Sequence, residues 1–381
     1  MSINHAEVAV VGGGIVGLAH ALAAAQRGHS VVLFERDERA VGASIRNFGL
    51  IWPIGQPESL YQRALRSREI WLDIAQRAGL WQRPSGSFHL AYHADEVAVL
   101  EEFLATTESA AAQGCRLVTA AEVSRSSQVV RTDGLRAALW SPTELNVDPR
   151  QAIPMLAEIL TSEFGVTLRF GHAVRSIDLP VVETDRESWR VEQVYVCSGN
   201  EFQVLYPETF AASGIRRCKL QMMRTAAQPW GWQLGPALCA GLTLLHYGAF
   251  RHCTSLAALR NRIERELPFA HDHGIHVLVS QTADGAVTIG DSHEYGLSHH
   301  PFEREDVNAA ILEYFDTFAV LPRPKIAERW HGFYPSLPDG RADLVTEPTP
   351  GVTVVNGLGG AGMTLSFGLA EETLGVQRIL Q

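Results

Sequence analysis

The sequence predicts an α/β fold whose N-terminal part is a dinucleotide-binding, Rossmann-like domain, combined with a mixed-sheet α+β portion. Three observations carry that expectation. Near the start, a β-branched run ends in glycines, an Ala- and Leu-rich helix follows, and a second apolar run ends on an acid. Near the other end, an apolar strand runs into a second glycine-rich turn. Between them, residues 274–289 alternate apolar and polar around Ala283-Asp284-Gly285, a hairpin signal, while 261–267 and 306–320 read as amphipathic helices.

The first unit is strand 7–11 (EVAVV), helix 15–27 closed by Gly28, and strand 29–34 (HSVVLF) ending on Glu35. Its length is that of a βαβ crossover. Within it, Gly12-Gly13-Gly14-Ile15-Val16-Gly17 matches G-x-G-x-x-G, and Glu35 follows Gly17 by 18 positions. Gly12 permits the tight turn, Gly14 lets the backbone approach a pyrophosphate, and Gly17 lets helix and strand pack closely. The helix N-terminus at Ile15 and Val16 offers N–H groups and a positive dipole end to phosphates. Glu35, with Arg36 beside it, is placed for the adenosine half, where its carboxylate accepts from ribose hydroxyls. An acid there disfavours a 2′-phosphate and so disfavours NADP. Taken alone, this unit does not choose between FAD and NAD.

The choice comes from 351–369, GVTVVNGLGGAGMTLSFGL. Strand 352–355 runs into Gly357-Leu358-Gly359-Gly360-Ala361-Gly362, and a helix is expected to begin near Met363 or Thr364. A second helix N-terminus thus points at a ligand, as suits a flavin whose pyrimidine ring gains negative charge on reduction.

Composition narrows the function classes. The 381 residues are 46% hydrophobic, enough for a large core, and the length suits two domains. A net charge of -10, with Lys and Arg scattered, gives no footprint for nucleic acid or an anionic membrane. The apolar stretch 8–25 lacks a basic leader and is broken by glycines, so it reads as fold rather than signal peptide. No other run is long enough to span a bilayer. Cys115, Cys197, Cys218, Cys239 and Cys253 are odd in number and never form CxxC, so they read as reduced thiols of a cytoplasmic protein. His271, His273, His276, His293, His299 and His300 lack metal-site spacing and lie in polar, loop-like sequence. They read as solvated, and no metal is expected.

The two glycine turns, Gly42-Ala43-Ser44, the segment Gly171-His172-Ala173-Val174, the strand-loop 194–199 (VYVCSG) and Pro335-Ser336-Leu337-Pro338-Asp339-Gly340 together resemble the FAD-dependent D-amino-acid oxidase superfamily, which includes glycine oxidase and monomeric sarcosine oxidase. The resemblance implies an FAD domain made of 1–85, 142–200 and 328–381, interleaved with a substrate domain made of 86–141 and 201–327. It places Ala43 and Ser44 near the pyrophosphate, Val174 at the adenine, Ser198 and Gly199 on the returning segment near the phosphates, and Gly359, Gly360, Gly362, Met363 and Thr364 at the flavin.

Departures from the family pattern bear on the substrate. Where amino-acid oxidases of this family carry an arginine that grips the substrate carboxylate, this chain has Tyr334, and one phenol cannot replace a bidentate fork. Arg46 is the candidate replacement. Monomeric sarcosine oxidase ties its flavin to a cysteine at the place of Gly332, so FAD is expected to be noncovalent here. Its lysine that assists reaction with oxygen corresponds to Thr288, which leaves oxygen or another electron acceptor open. The segment 42–57 (GASIRNFGLIWPIGQP) resembles a branch associated with breakdown of aminophosphonates. That implies a small anionic amine, such as N-methylated 2-aminoethylphosphonate, held by Arg46, Asn47, His246, Tyr247, His331 and Tyr334. Oxidation of its C–N bond gives an imine that hydrolyses to phosphonoacetaldehyde and an amine, with hydrogen peroxide if oxygen is the acceptor. No residue is assigned as general base, and the oligomeric state is open. The alternatives are a glycine- or sarcosine-type amino-acid oxidase or dehydrogenase, and a non-catalytic redox-sensing flavoprotein. A flavin monooxygenase is disfavoured because its aspartate-bearing flavin motif is missing.

Overall fold

A computed structural model describes residues 3–376; Met1, Ser2 and 377–381, the ends of the expected FAD domain, lie outside the described residues. Val8–Val11 is the core of a six-stranded sheet ordered Thr167–Phe170, Val31–Glu35, Val8–Val11, Gln193–Val196, Val352–Asn356 and Leu344–Thr349. All neighbours are parallel except the last pair. Its central strands are β-branched and buried on both faces, as strands covered from both sides must be. Below one face pack helices Ile15–Gln26, Glu58–Ala78, Pro149–Ser162 and Gly362–Val376. Over the other lies a small sheet carrying Val174, Val182 and Trp189.

Helix Ile15–Gln26 is apolar nearly all round because it is wedged between the sheet and helix Gly362–Val376. Its one titratable side chain, His20, is fully buried, with Nδ1 bonded to Val16 O at 2.7 Å and the ring against Tyr195. Burial lowers its pKa to about 4, offset in part by that bond. The folded pKa lies below the unfolded one, so the unfolded chain takes the proton first. Stability from this group is whole above pH 6.5 and is lost as pH falls towards about 4, by up to about 3 kcal/mol. Melting temperature is expected to drop between pH 6.5 and 5, less steeply in His20→Gln; equal slopes would remove His20 as a cause.

A larger sheet forms the second core, with Ser87–Ala91, Arg116–Val118 and Ala137–Ser141 at one end and Arg216–Thr225, Leu278–Gln281 and Val287–Gly290 towards the other. The hairpin around Ala283-Asp284-Gly285 is present, with Leu278 paired to Gly290 and Gln281 to Val287. The amphipathic helices run Leu256–Glu266 and Glu305–Phe318. Strand Ile326–Ser336 pairs antiparallel with Arg216–Thr225 in this large sheet, although the sequence division assigns its residues from 328 onward to the FAD domain. Its far end bridges, at Ser336, to Leu358 of the second glycine turn. No helix among the described residues is long and apolar enough to cross a membrane.

Candidate functional site

At the first glycine turn, a Cβ on Gly17 would lie 1.9 Å from Gly12 O, and one on Gly12, at φ +112°, would lie 2.2 Å from Cys197 O. Those two glycines are required by packing alone. Gly14 differs: its backbone is extended (φ -77°, ψ 176°), and a Cβ there would lie 3.0 Å from Ser44 Oγ, with no backbone atom closer. Its missing side chain keeps a gap open between the helix N-terminus and the Ala43–Ile45 turn. Ser44 Oγ accepts from Ile15 N at 2.9 Å, and Glu35 accepts from Gly13 N at 2.7 Å and from Asp37 N at 3.0 Å. The acid at the strand end thus lies against the glycine turn, and a carboxylate keeps acceptor capacity beyond two bonds. Arg36 is paired with Glu201 at the surface, Ser198 Oγ donates to Glu201 O, and Gly199 O accepts from Asn356 Nδ2. Val174 is buried at the start of strand Val174–Asp178.

The second turn forms a short 3-10 segment, Gly359–Ala361, and its helix begins at Gly362 rather than at Met363 or Thr364. Gly359 has φ +59° with open space where a Cβ would stand, so the bare backbone faces the adjoining cavity. Thr364 is turned inward instead, its hydroxyl accepting from Trp52 N at 2.9 Å. Met363 O accepts from Trp71 Nε1. The cradle fits FAD: two glycine-lined helix starts, the carboxylate of Glu35 at the first, and a cavity opening from the second.

That cavity, of about 820 Å³, joins Ala43–Asn47 and Gly359–Met363 to the large sheet. Strand pleating selects its wall. Leu220 and Met222, His276 and Leu278, Asp291 and His293, and Gly332 and Tyr334 each stand two residues apart and face it together. Thr288, at the place of the family's lysine, is not part of that wall. Helix Leu242–His246 adds His246 and the following Tyr247.

Of the expected substrate residues, the structure brings Arg46, Asn47, His246, Tyr247 and Tyr334 to this one cavity. His331 is a correction. It lines a second cavity of about 1220 Å³ and pairs with Glu303 at 3.1 Å. Asn47 reaches the wall, but its amide donates to Ala43 O and Ser44 O and accepts from Gly49 N, so it shapes its own loop. Arg46 donates one N–H to His331 O at 3.2 Å and lines both cavities. Arg251, also on the wall, went unnoticed in the sequence.

His276 and His293 were read as solvated, and that reading is overturned. They are 2% and 8% exposed, and with His246 they form one cluster, ring centroids 3.9–4.9 Å apart. Asp291, 5% exposed, lies beside them, with Oδ1 3.3 Å from His276 Nε2. Burial, then the neighbouring imidazoles, holds His276 well below its ordinary pKa; burial, then His293 and Arg251, does the same for His246. His293 is lowered by burial to about 4. Burial raises Asp291, Tyr247 and Tyr334 well above their usual ranges. The wall is therefore a set of neutral imidazoles and protonated phenols.

Residues 7–374 match the family DAO, FAD dependent oxidoreductase, and the chain belongs to that family. FAD is accordingly its cofactor, and the protein is an FAD-dependent oxidoreductase. A D-amino-acid oxidase of Streptomyces coelicolor is 41% identical over 75 residues, 19% of this chain and 23% of that protein, so the chain matches under a quarter of that relative's length. L-proline dehydrogenase from P. horikoshii superposes with a TM-score of 0.80 at 19% identity, covering 100% of this chain and 95% of that one. Glycine oxidase from Geobacillus kaustophilus (TM-score 0.75) and iminodiacetate oxidase from Chelativorans sp. BNC1 (0.73) are each 19% identical and cover 98% of this chain and 95% of theirs. At these identities the likeness is one of fold.

Proposed function

We propose that this protein, acting in the cytoplasm, oxidises the C–N bond of a small amine that carries an anionic group, with N-methylated 2-aminoethylphosphonate as its substrate. The observation that carries this reading is the wall itself, where Tyr334 stands with Arg46 at a cavity that also opens on the second glycine turn. The solved structures of similar fold include enzymes named for glycine, proline and iminodiacetate, all small amines with carboxylates. The resemblance of 42–57 to the aminophosphonate branch, and the loss of the family arginine at Tyr334, move the anion from carboxylate to phosphonate.

Bound FAD supplies the two-electron acceptor, and oxygen or another acceptor takes the electrons onward. The chain's own residues do the rest. Arg46 offers a planar fork to the anion. Tyr247 and Tyr334, kept protonated by burial, donate their O–H groups to its remaining oxygens. Leu220, Met222 and Leu278 form the apolar part of the wall and exclude water on that side of the reacting carbon, and the imine is hydrolysed on release. None of the five cysteines lines the cavity, and all are buried, which supports noncovalent FAD.

Anaerobic mixing without NAD(P)H is the test. N-methylated 2-aminoethylphosphonate is expected to bleach the flavin absorbance and release methylamine and phosphonoacetaldehyde. Bleaching by glycine, sarcosine or D-alanine, with none by any aminophosphonate, overturns the substrate and favours the amino-acid oxidase alternative. No bleaching by any of them favours a redox-sensing role.

A further inference from the structure

His246, His276 and His293 bring one ligand nitrogen each to within 4.8 Å of the others. They come from three separate chain segments, so the meeting is a product of the fold rather than of sequence neighbourhood. The hairpin supplies two of them: His276 and Asp291 exchange backbone hydrogen bonds, which sets their side chains next to one another, and His293 follows two residues on. We propose that this cluster, completed by Asp291, is a binding site for one borderline divalent transition-metal ion of the Zn²⁺ class.

Three features support the assignment independently of which amine is oxidised. His276 Nε2 and Asp291 Oδ1 stand 3.3 Å apart, yet Asp291 Oδ1 has no hydrogen-bond partner. That spacing is close to the edge of a tetrahedron of N and O ligands, about 3.4 Å for bonds near 2.1 Å. A buried carboxyl oxygen is thus left short of the bond that burial normally demands, at the place where an ion would supply it. His293 Nδ1 lies 2.8 Å from Gly274 O; as a donor there it leaves Nε2 with a free lone pair, 3.9 Å from Asp291 Oδ2. A ring nitrogen held by a backbone carbonyl is the usual orienting arrangement behind a metal-ligating imidazole.

The donor set, three imidazoles and one carboxylate, suits Zn²⁺, Co²⁺ or Ni²⁺ rather than the hard Mg²⁺ or Ca²⁺. The largest separation among the three imidazole nitrogens, 4.8 Å, has to close by about 1.4 Å to reach tetrahedral spacing, a movement within reach of side-chain rotation.

The test uses untagged, FAD-loaded protein passed over chelating resin and then titrated with Zn²⁺ or Co²⁺. About one equivalent is expected to remain after dialysis by elemental analysis. Co²⁺ should give d–d absorption of a four-coordinate N/O site, read to the red of the flavin bands. His276→Ala with His293→Ala should weaken Zn²⁺ binding at least a hundredfold while FAD content stays near one per chain. Should that pair fail to fold, Asp291→Asn and His246→Gln are read in the same way, each with a loss of tenfold or more. Failure of the wild-type holoprotein to retain Zn²⁺, or undiminished binding in the variants, overturns the site. So does binding of inorganic phosphate at the cluster without any Zn²⁺, which would make it an anion pocket. The aminophosphonate reading stands or falls separately, on flavin bleaching.

Discussion

Gly14→Val is expected to yield a folded but colourless protein, with FAD affinity reduced by at least about a hundredfold, or roughly 3 kcal/mol. The backbone at Gly14 is in the extended region that valine adopts freely, so the substitution adds no conformational strain. A Cβ there already stands 3.0 Å from Ser44 Oγ, and the two methyl groups of valine fill the gap between the helix start and the Ala43–Ile45 turn. That gap is where the pyrophosphate must approach the N–H groups of the turn. Gly17→Val makes the contrast. Its Cβ would meet Gly12 O at 1.9 Å, so strand and helix must separate and the whole protein should lose stability. Flavin absorbance and thermal melts distinguish the two: loss of colour at near-unchanged melting for Gly14→Val, loss of both for Gly17→Val. A yellow Gly14→Val protein with stoichiometric FAD would mean that the dinucleotide lies elsewhere.

The contrast between these glycines shows why the cofactor half of the molecule was readable. Gly12, Gly14, Gly17 and Glu35 are constrained by backbone geometry over a short stretch, and local geometry is what a sequence displays. The substrate wall is assembled from strands far apart in the chain, and there the reading was partial. The hairpin at Ala283–Gly285 was visible, and extending its register outward sets residue 276 opposite 292, one residue from the His276–Asp291 backbone pair and beside His293, which was the available signal for the histidine cluster. Polar composition around 271–276 and 291–300 pointed to solvent instead, because it cannot reveal that helix Leu242–His246 closes over that end of the hairpin. His331 falls on the other cavity for a different reason. The strand lines the first cavity at Gly332, Phe333 and Tyr334 and the second at Glu328, Arg329, Trp330 and His331, a boundary along the strand that side-chain alternation does not display. Arg251 follows a 3-10 turn at the surface and carries no spacing signal.

Arg46→Ala is expected to weaken binding of an anionic amine by about tenfold to over a hundredfold, the worth of a charge-assisted hydrogen bond at roughly 1.5–3 kcal/mol. The flavin spectrum and FAD content should hardly move, because the guanidinium donates to His331 O and takes no part in the glycine turns. Arg46→Lys should restore only part of the loss, since a point charge does not reproduce a planar fork against phosphonate oxygens. Arg251→Ala serves as the control: Arg251 also lines the cavity but is exposed, so screening by water should limit its effect to a few-fold. Tyr334→Arg tests the same logic in reverse. It restores the family's arginine in a position where the native ring lies 3.8 Å from the place of a Gly360 Cβ, so preference should move toward glycine or sarcosine if the longer side chain is accommodated. Dissociation constants from anaerobic flavin titration decide the matter. Full affinity in Arg46→Ala, with the loss appearing in Arg251→Ala instead, would move the anion grip to the mouth of the cavity. Full affinity in both would remove arginine from substrate recognition and leave the phenols and imidazoles of the wall to hold the anion.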